Sequence, residues 1–212
     1  MSEEISTELC KDCSKVDKTT YNKFIRHDIA TFAKDIDVLR SLVRYQNCHR
    51  NVNESVAEHS FYVALFVLKL REYYEFDLQA ALKTALIHDV MEARISDVPH
   101  NIKIKNPKLA EALEDAESNV LYEMFYPEAS VLLMNFNHGG TPEGMVVQLA
   151  DILSVILYAN AEIKSGNKVF NYIAIKALDR VRCVMSQLKL YLNPAYTNEQ
   201  IVNKISQIVD IY

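Results

Sequence analysis

The chain has 212 residues, half of them hydrophobic and about a quarter charged, enough for one domain with a sizeable core. Only four glycines and five prolines occur, so turn chemistry is scarce and long uninterrupted segments point to a mostly helical protein. The formal net charge is −5 and no lysine- or arginine-rich cluster stands out, which argues against polymeric nucleic acid as a partner. Small anionic substrates stay open, because one placed arginine can serve them.

The first residues, MSEEISTELCKD, are acidic and lack an apolar core, so they do not read as a signal peptide. Residues 1–22 are expected to form a polar arm, with one domain over residues 23–212. Cys10 and Cys13 make a C-x-x-C with no second pair to complete a four-ligand zinc site, and we read them as incidental. The longest apolar run, Phe61 to Leu68, is far short of a membrane span. A cytoplasmic location with no membrane association is the expectation.

Phe32, Ile36, Leu39, Leu42 and Val43 carry helical spacing through roughly residues 26–47. After the polar break CHRNVN, Ser55 and Glu58 resemble a capping box opening a helix that runs to about Tyr74. A third helix is predicted over about residues 77–92, and Pro99 and Pro107 interrupt the pattern after it. A further helix runs through KLAEALEDAESNVLYEMF and ends at Pro127, followed by a short apolar piece. NHGGTPEG is the clearest loop. Helices over about 142–165 and 167–192, separated by SGN, and a last one over about 197–210 complete an all-α, single-domain reading with no convincing strand.

Four residues are out of place in this pattern. His59 shares a helical face with Val56, Val63, Phe66, Val67 and Leu70, so it points inward. A lone histidine there is usually an ordinary core residue. His88 and Asp89 close a helix rich in small residues, with Glu92 one turn beyond. Asp151 interrupts VVQLADILSVIL between Val147 and Val155, where an unpartnered ionised carboxylate would cost several kcal/mol, about 2 or more. Either a cation answers it, or a salt bridge to Arg44 or Arg180 does. Two histidines and two aspartates pointing inward from three helices suit one divalent ion: Mn, Co, Fe, Ni or Zn, with Mg possible. Four protein ligands on such an ion leave positions open, which is the catalytic rather than the structural arrangement.

The order His … His-Asp … Asp resembles that of the HD-domain phosphohydrolases. More narrowly, ESVAEHS around His59, HDVMEARISDVP from His88 to Pro99, and QLADILSVILYANAEIKSGN around Asp151 are similar to the bacterial 5′-deoxynucleotidase (YfbR-like) branch, over roughly residues 36–170. The resemblance implies an HD-type helical bundle with His59, His88, Asp89 and Asp151 on the metal. It also implies that Glu92 orients or deprotonates the attacking water, that Asp97 assists proton transfer, and that Arg44 grips the substrate phosphate. Tyr45 stands where the branch has a bulky aromatic beside the sugar. Simpler readings exist for each: Glu92 could cap or pair with Arg94, Asp97 could be a turn residue, and Arg44 could lie exposed beside Asp37.

The chain departs from the branch at His100 after Pro99, in NHGGTPEG and in the N-terminal arm, while His49 and Arg50 add positive charge before His59. The loop before His59 and the Pro99 loop would face the nucleotide. The leading expectation is hydrolysis of deoxynucleoside 5′-monophosphates. Rivals are a deoxynucleoside triphosphohydrolase, favoured if Arg50, Lys103 or Lys105 line the pocket, a non-catalytic nucleotide sensor, and a metal-free helical interaction protein. A homodimer or higher homo-oligomer is expected, and Ile201, Ile205, Ile208 and Val209 give the last helix an apolar face to pack on a neighbour or on its own domain.

Overall fold

The computed structural model describes residues 28–96, 98, 105–125 and 128–210. The expected polar arm, Cys10 and Cys13, and Asp97, Pro99, His100 and Lys103 lie outside the described residues. The helices are α1 (Ile29–Ser41), α2 (Val56–Leu70), α3 (Leu78–Ile87), α4 (Glu92–Ile95), α5 (Pro107–Met124), α6 (Glu128–His138), α7 (Pro142–Lys164), α8 (Phe170–Gln187) and α9 (Asn198–Asp210). A 3-10 turn, Leu188–Tyr191, extends α8. Among the described residues extended pairing is limited to the isolated bridges Val43–Ser55 and Tyr74–Leu192, so the all-α expectation holds.

Local chemistry sets the helix starts. The expected capping box is formed: Ser55 Oγ accepts from the Glu58 amide and the Glu58 carboxylate accepts from the Ser55 amide. Asp28, Asp77, Asn106 and Thr141 cap α1, α3, α5 and α7, with Pro107 and Pro142 in the first turns of α5 and α7.

The structure corrects three expected boundaries. The first helix stops at Ser41 instead of running to 47, because residues 42–45 pair with 54–56: Arg44 N donates to Glu54 O, and Val56 N to Leu42 O. The helix expected over 77–92 ends at Ile87, turns through His88–Met91 and restarts as the four-residue α4. The short apolar piece before the predicted loop is a full helix, α6, and the loop shrinks to Gly139–Thr141, with Gly139 at φ +60°.

α7 is the axis of the molecule. Most of its residues are buried, and it packs against α2, α3, α6, α8 and α9. It is long and apolar enough to cross a bilayer, but 72% of its most apolar stretch is covered by the protein itself, as befits a core helix. The main core joins Val63, Val67 and Leu70 of α2, Ala81 and Ala85 of α3, and Leu149, Ile152 and Ile156 of α7 to Val181 and Met185 of α8. A second cluster gathers Leu39, Val56, Val90, Met91, Leu121 and Leu133. The site lies between these two clusters, where α2, the end of α3 and α7 converge.

Candidate active site

The four residues that broke the apolar pattern come together. His59 on α2 is fully buried, and His88, the C-cap of α3, is 3% exposed. Their Nε2 atoms are 3.3 Å apart. Asp89 Oδ2 lies 3.2 Å from His88 Nε2 and 3.6 Å from His59 Nε2, and Asp151 Oδ1 on α7 lies 3.2 Å from His59 Nε2. Donor atoms of His59, His88 and Asp89 all fall within 4.8 Å of one another, and Asp151 joins them through His59. Both carboxylates keep about a fifth of their surface open while the imidazoles are sealed.

The donor set fits a divalent cation. His88 Nδ1 donates to the Ala85 carbonyl at 2.8 Å, which frees the Nε2 lone pair to point inward once that nitrogen is deprotonated. Burial works against ionising Asp89 and Asp151, but the histidines beside them more than offset it, and both carboxyls are held below their ordinary range. Burial and then the Arg44 charge push His59 down to about 4, so its ring is neutral at physiological pH. For His88 burial also opposes the charge, yet the Asp89 carboxylate wins and raises it. Imidazole nitrogen with carboxylate oxygen suits a borderline transition-metal ion.

The salt-bridge alternative for Asp151 does not describe this arrangement. Arg44 Nη1 pairs with Glu54 Oε2 at 3.2 Å, Arg180 is exposed, and Asp151 is aimed at His59. Arg44 is only 15% exposed in its side chain and does not lie beside Asp37, which pairs with Arg40. It also touches His59 Nδ1. A guanidinium only donates, so in this arrangement the His59 proton sits on Nε2, toward Asp151. Tyr45, at φ +58°, stacks on Tyr158 with ring centroids 5.0 Å apart and presents its ring 5.4 Å from the Arg44 guanidinium carbon. Glu92 opens α4, its amide bonded to Asp89 O, one turn past the ligand pair. Arg94 reaches Asp35 on α1 and Glu123 on α5, tying α4 down from two sides.

Sequence reasoning missed several partners. Ser154, fully buried, sets its Oγ 3.0 Å from His59 Nδ1. Its signal was a hydroxyl three residues after Asp151 on an apolar helix. Glu54, 7% exposed, pairs with Arg44, and Phe136 lays its ring edge-on to His88 with centroids 5.4 Å apart. Glu162, fully buried, was hidden in what reads as the polar end of a helix.

A buried His-His-Asp cluster whose donor atoms converge where three helices meet makes this all-α bundle a candidate metal-centred enzyme. The YfbR-like 5′-deoxynucleotidase family model matches residues 31–195, and the chain belongs to that family. It is 28% identical to a 5′-deoxynucleotidase of Pasteurella multocida (strain Pm70) over 155 residues, 67% of this chain and 79% of the relative. A crystal structure of a protein from Pyrococcus horikoshii OT3 superposes with a TM-score of 0.69 at 27% identity, covering 85% of this chain and 99% of that one. The HD phosphohydrolase of cyanophage S-2L, solved with dA and one catalytic zinc ion, shares the fold at a TM-score of 0.54 and 17% identity, over 85% of this chain and 96% of its own.

Proposed function

We propose that this enzyme removes the 5′-phosphate from deoxynucleoside monophosphates, with His59, His88, Asp89 and Asp151 holding one divalent transition metal. The observation that carries the reading is the convergence of two imidazole Nε2 atoms and two carboxylates beside a buried, still-charged arginine. When bound, the ion supplies phosphoryl charge neutralisation and makes a neighbouring water more acidic. Arg44, poised between Glu54 and His59, binds the phosphate oxygens through its guanidinium fork. Glu92 takes the proton of the attacking water as the new P–O bond forms. The P–O5′ bond breaks, and the departing O5′ takes a proton, a role we assign to Asp97 in the segment that follows Glu92. The products are a deoxynucleoside and orthophosphate.

The monophosphate reading is preferred because Arg50, which would serve a longer phosphate chain, is engaged by Tyr45 O at 3.3 Å and Asn53 Oδ1 at 3.1 Å. A homodimer in a reducing cytoplasm belongs to the same proposal; Ile201 and Ile205 of α9 pack into the chain's own core, so the support is instead the exposed stripe Phe61, Leu65 and Leu68 on α2 and the free thiols of Cys48 and Cys183. The deciding experiment is product analysis on nucleoside mono- and triphosphates, with chelator-stripped protein resupplied with Mn, Co, Mg or Zn. Metal-dependent orthophosphate from deoxynucleoside monophosphates is the expected result. Cleavage confined to triphosphates would overturn the substrate assignment, and no turnover with any metal would overturn the enzyme reading.

A further inference from the structure

One face of α7 carries a row of polar groups: Asp151, Ser154, Tyr158 and Glu162. Their spacings of three, four and four residues keep them on one side of the helix, and the row is about 16 Å long. Its first half serves the candidate metal cluster, through Asp151 and Ser154 on His59. Its second half serves something else.

Glu162 is fully buried and, among the described residues, collects hydrogen bonds from neutral donors. The Asn51 amide reaches both carboxylate oxygens at 3.0 Å, the Val52 amide reaches Oε1 at 2.7 Å, Tyr158 OH reaches Oε1 at 3.1 Å and Asn167 Nδ2 reaches Oε2 at 2.7 Å. Tyr158 OH also contacts Val52 O at 2.8 Å, and Asn167 Nδ2 donates to His49 O at 2.8 Å. An ionised carboxylate buried away from any cation is costly unless donors surround it, so this arrangement is rigid or it fails. What it holds is residues 49–53, the apex of the excursion that leaves α1 and returns to α2. The base of that excursion is closed by the Arg44 N to Glu54 O hydrogen bond and the Val43–Ser55 bridge. Between the fixed base and the fixed apex sit Arg44 and Tyr45, with the Tyr45 ring stacked on Tyr158 from the same row.

We propose that Glu162 is a positioning residue for nucleotide binding: by clamping residues 49–53 to the end of α7 it fixes Arg44 and Tyr45 where the phosphate and sugar dock. The inference rests on the nucleotidase reading for its substrate, but the clamp itself is a property of the loop. Glu162 acts only through the loop and lies at the opposite end of the row from Asp151. Its loss therefore misplaces the docking side chains and leaves the metal cluster in place. Misplacing a substrate-holding group by about 1 Å can weaken its contribution by one to two orders of magnitude.

The test compares wild type with Glu162→Gln, which puts an amide among donors, and with Tyr158→Phe, which keeps the ring on Tyr45 and removes the hydroxyl. Hydrogen exchange at the Asn51 and Val52 amides, cobalt titration, and kcat and KM for a deoxynucleoside monophosphate are read on the same preparations. In Glu162→Gln the two amides lose protection, KM rises about tenfold or more, and kcat and cobalt affinity stay within about threefold of wild type. Tyr158→Phe moves the same quantities in the same direction, less far. Retained amide protection in Glu162→Gln overturns the clamp. Lost protection with unchanged KM leaves Glu162 a fold residue and overturns the positioning role. If wild type turns over no nucleotide, the substrate reading fails; inorganic phosphate affinity, which should drop about tenfold in Glu162→Gln, then decides the clamp's role separately.

Discussion

The Nε2 atoms of His59 and His88 face each other at 3.3 Å, and each also has a carboxylate oxygen at 3.2 Å, Asp151 for the first and Asp89 for the second. Two lone pairs cannot share that space without a proton or a cation. Arg44 on Nδ1 puts the His59 proton on Nε2, while Asp89 raises His88 against its burial, so of the two rings His88 holds a second proton to the higher pH. Loading a cation removes it. Metal affinity therefore falls as pH falls and climbs until His88 is neutral. Calorimetric titration with Mn or Co between about pH 6 and 8, in buffers of different ionisation enthalpy, should show proton release that diminishes as pH rises. An affinity independent of pH would take these imidazoles out of the site.

Ser154→Ala tests the partner behind His59. With Nε2 directed at a cation the ring proton moves to Nδ1, where Arg44, an obligate donor, cannot receive it and Ser154 Oγ at 3.0 Å can. The variant should fold normally, since alanine favours a helix, and should lose roughly 10- to 100-fold in metal affinity by chelator competition. Unchanged affinity would mean that Nδ1 finds another acceptor.

Glu92→Gln should keep the cation and lose turnover by about 10²- to 10⁴-fold, because the amide cannot take a proton. Steady-state kinetics on the metal-loaded variant decide the point, and near-normal kcat would remove Glu92 from proton transfer.

Gly144→Ala should be harmful although alanine usually improves a helix by about 1 kcal/mol. A Cβ at Gly144 would lie 2.3 Å from the Asn135 carbonyl oxygen, a backbone atom with nowhere to go. α6 must then back away from α7, at a cost of about 1–3 kcal/mol, taking Phe136 off the edge of His88. A lower melting temperature accompanied by weaker metal binding is the expected pattern; a higher one would show that the two helices have slack.

The Glu162 carboxyl sits below its ordinary value of 4.5: burial opposes ionisation, but the amides of Asn51 and Val52 outweigh it. A depressed carboxyl pKa stabilises the fold above the unfolded value and loses that contribution as pH falls through the folded one. Wild type should therefore exceed Glu162→Gln in melting temperature at neutral pH, with the gap closing below about pH 4.5. A gap that persists unchanged at about pH 3, well below that value, would rule out an ionised Glu162.

Much of this was legible because the informative residues violate their surroundings. Asp151 in an apolar helix and His59 on an apolar face are costly placements that only a shared partner explains. Ser55 and Glu58 announced the start of α2 through chemistry confined to four residues. The failures share a cause. The end of α1 is set by residues 54–56, far along the chain, and α6 has too few polar breaks to stand apart from a short apolar stretch. Ser154, Glu54 and Glu162 escaped because their partners arrive from distant segments, and nothing beside them in sequence marks a serine or glutamate as buried.

The alignment of Asp151, Ser154, Tyr158 and Glu162 along α7 makes the helix behave like a keyed shaft. Inserting or deleting a single residue between the first and last of them would turn one end relative to the other by about 100°. His59 would lose its oxygen partners, or the 49–53 loop its seat, whichever end the surrounding helices failed to hold. Length variation among close relatives should therefore be absent from this stretch and from Asn167, which also holds Glu162, and better tolerated before α7 at the Gly139–Gly140 turn.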